Sequence, residues 1–227
     1  MEEGLLKIFA DYLEDVDYLE PEHKNMLMQM GTEEKGRIPF LYDCFRCMDG
    51  LMEKAVWEEK EVFFHTDSMC YLLSEQQEIV LERKDARELL AKMIDLFEPI
   101  YPLGTVVALK EEFSKSLKLK EPFRKVKVVI VERFAKTKDK QTYFPYVGVV
   151  YPIGVLEKGQ FINFTSALID SVVQEGYRDE MEDAYILLMK KELLLDDDVV
   201  SFGFLGKEKA AGYAEEIGGI TYGDENV

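Results

Sequence analysis

The 227-residue chain is 47% apolar and 32% charged, ordinary usage for a folded protein of one large or two small domains and far from that of a disordered chain. Its formal charge of −17 sets an average surface field that repels a phosphate backbone, so nucleic acid is excluded as the expected partner. The first residues, MEEGLLKIFADYLEDV, are acidic where a signal peptide is basic, and no stretch approaches the length of apolar residues that spans a bilayer. Three cysteines, Cys44, Cys47 and Cys70, are an odd number in a chain large enough to fold without disulfides, which points to a reducing cytoplasm. The expectation is a cytoplasmic protein without membrane insertion.

Residues 2–19 place Leu5, Leu6, Ile8, Phe9, Tyr12, Leu13 and Val16 at helical spacing. A Met-rich stretch (Met26, Met28, Met30) and a break of Gly and charge at 31–36 follow Pro21. Pro39 then opens a second helical stripe that runs from Phe40 and Leu41 through Leu51 and Met52 to Ala55 and Val56. Short apolar runs at 62–64, 70–73 and 79–81, separated by polar turns, fit a small hairpin as well as a continued helix, and strands are the preferred reading. Asp85 caps a last helix containing Leu89, Leu90, Met93, Ile94 and Phe97, which Pro99 and Pro102 end.

After Pro102 the period changes from helical to extended, which places a domain junction near residue 100. Segments 105–109, 126–134, 143–151 and 160–164 are rich in Val, Ile, Tyr and Phe and read as consecutive antiparallel strands, with 172–177 as a possible fifth. In the second, Val126, Val128, Ile130 and Glu132 share one face and Lys127, Val129, Val131 and Arg133 the other, so the sheet is expected to be covered on both sides. A helix over 181–195 shows Met181, Ala184, Tyr185, Leu188 and Leu195 in register. The fold class is therefore α+β: a mainly helical domain over 1–100, and over 101–195 a small antiparallel sheet, meander or partly closed barrel, with a C-terminal helix. An acidic, Gly-rich tail over 196–227 has little to bury and is expected to fray or dock loosely.

Few constellations carry chemistry. Cys44 and Cys47 form a CxxC, but they lie on the apolar stripe of a predicted helix, and only Cys70, His65 and His23 remain to complete a zinc site. They read as core thiols. His23 sits in a turn beside Pro21, His65 follows Phe64, and neither neighbours a serine or cysteine in a nucleophile setting. Phosphate-binding glycine loops and calcium loops are missing. No catalytic residue, metal or cofactor is assigned, and the chain reads as a binding module rather than an enzyme. Residues 110–140 hold 11 Lys/Arg against 5 Asp/Glu, so the other 196 residues sum to −23. That basic hairpin, with Lys118, Lys120 and Arg124, is a candidate docking element, although lysines guarding a sheet edge explain part of it. Tyr143, Tyr146 and Tyr151 lie in one predicted strand; alternation buries some and presents others as candidate interface anchors.

The order LGTVVALK (103–110), KVVIVER (127–133), YVGVVYPIG (146–154), QFINF (160–164) and SVVQEGYRDEME (171–182) resembles domain-of-unknown-function family 4176 over about residues 102–182. Physically, Gly104 turns the chain into the first strand and Gly148 permits a close approach or bulge. Pro152 with Gly154 makes the turn leaving the third strand. With Gly176 and Tyr177 these are scaffold positions of the family pattern. The sequence departs from that pattern in its long basic segment 110–126 and in Asn163, Phe164, Thr165 and Ser166 after the fourth strand. The resemblance implies a cytosolic accessory protein of type VII secretion that binds an LXG-class toxin as chaperone or targeting adaptor. The alternative is an immunity protein that neutralises a cognate toxin by direct binding. Oligomeric state, cargo and binding surface are not legible at this level.

Overall fold

In the computed structural model of the chain, residues 1–32, 37–57, 61–66, 68–73, 78–111, 113, 125–155 and 161–205 are described, with the backbone alone for Arg37, Trp57 and residues 61–65. They form two compact units. One comprises Met1–Pro99 and Ala184–Asp198; the other comprises Ile100–Asp183 and the described residues from Val199 on. The C-terminal helix, read from the sequence as part of the second domain, thus gives its residues from Ala184 onward to the first unit.

The first unit begins with α1 (Glu2–Asp15), α2 (Pro21–Thr32) and α3 (Arg37–Met48). Pro21 opens α2, where a missing N–H costs nothing, and His23 lies in its first turn rather than in a loop. Gly31 lets α2 pass close to Phe97 and Phe9, and the latter two rings meet edge to face at 5.2 Å. The stripe expected to run on to Val56 stops at Met48. Gly50, at φ +73°, donates its N–H to the Cys47 carbonyl, and the Leu51 N–H reaches the Arg46 carbonyl, the paired bonds of a left-handed helix stop. Leu51 and Met52 are consequently exposed, and the chain enters β1 (Lys54–Trp57). The sequence's short hairpin is a four-stranded antiparallel meander, β1–β2–β3–β4, with β2 at Glu61–His65, β3 at Met69–Leu73 and β4 at Glu78–Glu82. Ala55, Cys70, Leu72, Ile79 and Leu81 face inward, and α3 and α4 (Arg83–Phe97) pack on this sheet. Asp85 stands inside the first turn of α4 rather than at its cap.

The thiols of Cys44, Cys47 and Cys70 lie in this core, unbridged. Burial disfavours the thiolate: it pushes Cys47 up to about 11, raises Cys70, and with Cys47 nearby holds Cys44 well above the ordinary thiol range.

Helix α5 (Glu180–Lys191) runs into one π-helical turn, Glu192–Asp196. Within the first unit, the end of α5 with this turn, and α4, exchange lysines. Lys190, 3% exposed, donates to the Leu96 and Glu98 carbonyls at 2.6 Å each, the C-terminal carbonyls that α4 leaves open. Lys92, 1% exposed, donates from α4 to the Leu194 carbonyl at 3.2 Å and to Asp198 at 2.7 Å. Each ammonium thus satisfies the other element's terminal acceptors and gains from the negative end of a helix dipole.

The second unit is a mostly antiparallel sheet of β5 (Val106–Leu109), β6 (Lys127–Lys136), β7 (Thr142–Tyr151), β8 (Ile162–Phe164), β9 (Ile169–Gln174) and β10 (Val200–Ser201). Strands β5 to β8 form the expected meander. β9 starts three residues earlier than read and returns to the free side of β5, giving the order β10-β7-β6-β5-β9 with β8 also on β7. Among the described residues no pairing closes the sheet into a barrel. β10 pairs in parallel with β7, where the Thr142 hydroxyl donates to the Val200 carbonyl at 2.6 Å and Phe202 stacks on Phe144 at 4.5 Å, so residues 199–205 are docked rather than frayed. The rest of the tail, 206–227, lies outside the described residues.

Alternation along β6 fails at one place. Ile130 pairs Gly148 and Glu132 pairs Val147, leaving Val131 as an extra residue. Val128 and Ile130 point into the core before this bulge, Val131 and Glu132 are both exposed, and Arg133 and Phe134 are buried after it. Glu132 and Arg133 therefore occupy the opposite faces from those expected. β7 is buried from Thr142 to Val150, so the expectation of cover on both sides holds there. Gly148 has the predicted close approach, since a Cβ at this position would meet Val128 Cγ1 and the Val129 carbonyl, the latter at 2.8 Å.

Three measurements check this packing. Lys190→Met strands one buried and one half-buried carbonyl and is expected to cost about 2–4 kcal/mol in urea unfolding, against less than about 0.5 kcal/mol for the exposed Lys191→Met; equal costs would contradict the exchange. Gly148→Ala should destabilise by about 2 kcal/mol or more through overpacking, whereas Gly203→Ala, whose Cβ would find its nearest neighbour at 3.4 Å, stays near neutral. With the thiol pKa raised, the reactive thiolate at pH 8 is scarcer in the native state by about a hundredfold at Cys47, so a disulfide dye should label the cysteines slowly until urea unfolds the chain. Fast native labelling would show that the thiols are accessible.

Candidate protein-binding surface

The three tyrosines of β7 separate. Tyr143 and Tyr146 are core residues: Tyr143 lies 6.1 Å from Phe134, and Tyr146 stacks on Phe164 at 5.3 Å while its hydroxyl accepts the Tyr101 N–H at 3.2 Å. Their reading as interface anchors is corrected, because β7 is covered on both faces at their positions. Tyr151, the last residue of β7, is exposed and remains available to a partner. Lys118, Lys120 and Arg124 lie outside the described residues. At the edge of the same hairpin, Lys125 pairs with Asp170 of β9 at 2.7 Å. The Asp170 carboxyl is held below its ordinary range, first by that hydrogen bond.

The glycine positions act as scaffold. Gly104 at φ +80° and Gly154 at φ +71° make left-handed turns, and the Gly154 N–H closes the turn after Pro152 onto the Val150 carbonyl at 2.8 Å. Gly176 donates its N–H to Thr105 Oγ1 at 3.0 Å, and a Cβ there would collide with the Leu103 carbonyl. The chain leaving β9 is thus pressed against the turn that enters β5. The next residue, Tyr177, is 81% exposed.

The acidic run after Tyr177 builds the start of α5. Asp179 is its N-cap, with Oδ1 accepting the N–H groups of Met181 at 3.0 Å and Glu182 at 3.1 Å. Glu182 turns its carboxylate to buried Arg133, which grips it with both terminal nitrogens, Nη1 on Oε1 and Nη2 on Oε2. That pair uses the residue which the bulge at Val131 brought inward. Arg178 pairs with Asp183 at 2.8 Å.

The consequence lies on the other side of α5. Met181, Tyr185 and Leu188 fall within about 60° of one another around the helix, opposite Ile186 and Lys190. A periodic apolar stripe ordinarily marks the packed side of a helix. Here it is the solvent side: Met181 is 80%, Tyr185 41% and Leu188 62% exposed, while Ile186 and Lys190 are buried. Glu175, Asp179 and Glu180 are exposed at the amino end of this stripe and Lys191 at its carboxyl end. The sequence placed Met181, Tyr185 and Leu188 on one face of a helix. It missed their exposure, because the buried side carries a lysine and reads as polar.

Among the described residues, no group of three or more His, Cys, Asp or Glu is placed to hold a metal ion, and no helix is long and apolar enough to cross a membrane. No curated protein and no solved structure matches the chain. Strands β5 to β9, the scaffold glycines Gly104, Gly154 and Gly176, and the capped start of α5 fall within one family match. Residues 100–185 match the family model described as Domain of unknown function (DUF4176).

Proposed function

We propose that the chain is a cytoplasmic protein-binding factor that holds an LXG-class toxin as its chaperone or targeting adaptor for type VII secretion. The observation that carries the binding role is the apolar stripe of α5. A helix fixed on one side by Lys190 turns methionine, tyrosine and leucine outward, where nothing in folding requires them. The net charge of −17 supports the same reading, since it steers a cationic, aggregation-prone client into contact and discourages self-association. The toxin class and the secretion route rest on the family resemblance alone. The proposal includes no catalytic step.

Co-expression with an LXG-class toxin of the same genome should give a stable complex and raise the toxin's soluble yield. A toxin that stays soluble and is exported at full rate without this chain would overturn the proposal. Growth rescue separates the immunity role: protection of a cell that makes the active toxin internally, with no change in toxin solubility or export, would replace the chaperone by a neutraliser.

A further inference from the structure

We infer that the stripe Met181, Tyr185 and Leu188 receives an amphipathic helix of the partner, one whose apolar residues recur at helical spacing and are flanked by lysine or arginine. This rests on the protein-binding role proposed above and specifies its surface. All three side chains lie on one continuous helix and span two turns, about 10 Å. A linear row at this spacing matches the ridges of a second helix laid alongside. An extended segment would need an open row of backbone N–H and C=O groups, which a helix does not offer. Methionine and leucine adapt to the shape of an apolar neighbour, and tyrosine adds area with a polar tip that stays in water.

Charge selects the occupant. Glu175, Asp179 and Glu180 are exposed at the amino end of the row, where Arg178 is occupied by Asp183, and Lys191 is exposed at the other, so the amino end is acidic and favours a cationic flank there. A second copy of the chain would set −17 against −17. An anionic lipid surface would be repelled for the same reason. The row is also preorganised. Lys190 on the Leu96 and Glu98 carbonyls fixes the rotation of the helix about its axis, so little ordering remains to be done on binding.

The test uses the full chain labelled with carbon-13 at its methionine methyl groups. The probe is a synthetic amphipathic peptide of about four turns, leucines on one face and lysines flanking them. Two controls are a glutamate-flanked counterpart and a scrambled peptide of the same lysine content. The Met181 signal, assigned with Met181→Leu, is expected to shift with the lysine-flanked peptide while that of buried Met93 stays in place. Leu188→Asp should weaken binding by about tenfold or more, as should either control peptide. Leu188 is exposed, so the variant is expected to fold; its unfolding midpoint confirms this, and Tyr185→Lys serves as a second variant. An unmoved Met181 signal, equal binding of the scrambled peptide, or a dimer in sedimentation that Leu188→Asp dissociates would each overturn the inference. A toxin complex that persists at full affinity with Leu188→Asp would overturn this surface while leaving the binding role intact. Failure of the unaltered chain to form that complex would refute the role itself.

Discussion

The burial of one ammonium group decides which side of α5 meets the solvent. Lys190 carries a charge that is costly to bring out of water, and the structure compensates with the carbonyls of Leu96 and Glu98 at the end of α4. Those acceptors need donors whatever the rest of the chain does, because a helix leaves its last carbonyls open. Once they are met by Lys190, the helical period places Ile186 inward and Met181, Tyr185 and Leu188 outward. In the second unit, the Asp179 cap and the Arg133–Glu182 pair fix the first turn of the same helix. Exposed apolar area on a mobile segment is common; the same area on a helix held from behind is a formed surface.

The second-unit sheet was legible because its strands are β-branched and aromatic, with breaks at Gly and Pro that match observed turns at Gly104 and Gly154. Alternation then carries side-chain direction correctly from Val126 to Ile130 and fails at Val131, because a bulge depends on pairing with a strand elsewhere in the chain. Arg133 is the residue whose role this hid: on the expected pattern it shared a face with Lys127 and Val131, and in the structure it is buried against Glu182. In the first unit the error was one of period. Leu51, Met52, Ala55 and Val56 continue the spacing of α3, whereas the chain turns out of the helix at Gly50. The helix reading also hid β1, whose Ala55 is buried on the sheet face while Val56 is exposed.

The candidate surface was legible only in part. A row of Met181, Tyr185 and Leu188 is visible in the sequence, but hydrophobicity assigns such a row to the core, and the competing row of Ile186, Lys190, Leu193 and Leu194 is interrupted by a lysine. The deciding quantity is whether unpaired carbonyls await that lysine, and this belongs to α4, about a hundred residues away in the chain. Tyr143 and Tyr146 erred in the other direction. Tyrosines in a strand suggest an interface, yet β7 is covered on both faces from Thr142 to Val150, which takes Tyr143 and Tyr146 into the core.

Edge chemistry bears on which surface a partner can use. Among the described residues β9 ends the sheet beside β5, and an end strand is the usual competitor to a helix face for binding an extended peptide. Here the β5–β9 register shifts twice within four pairs, and Asp170 is engaged by Lys125. Irregular pairing twists an edge away from the straight row of donors and acceptors that an added strand requires. Among the described residues the β9 end of the sheet is thus irregularly paired, whereas α5 is a regular helix.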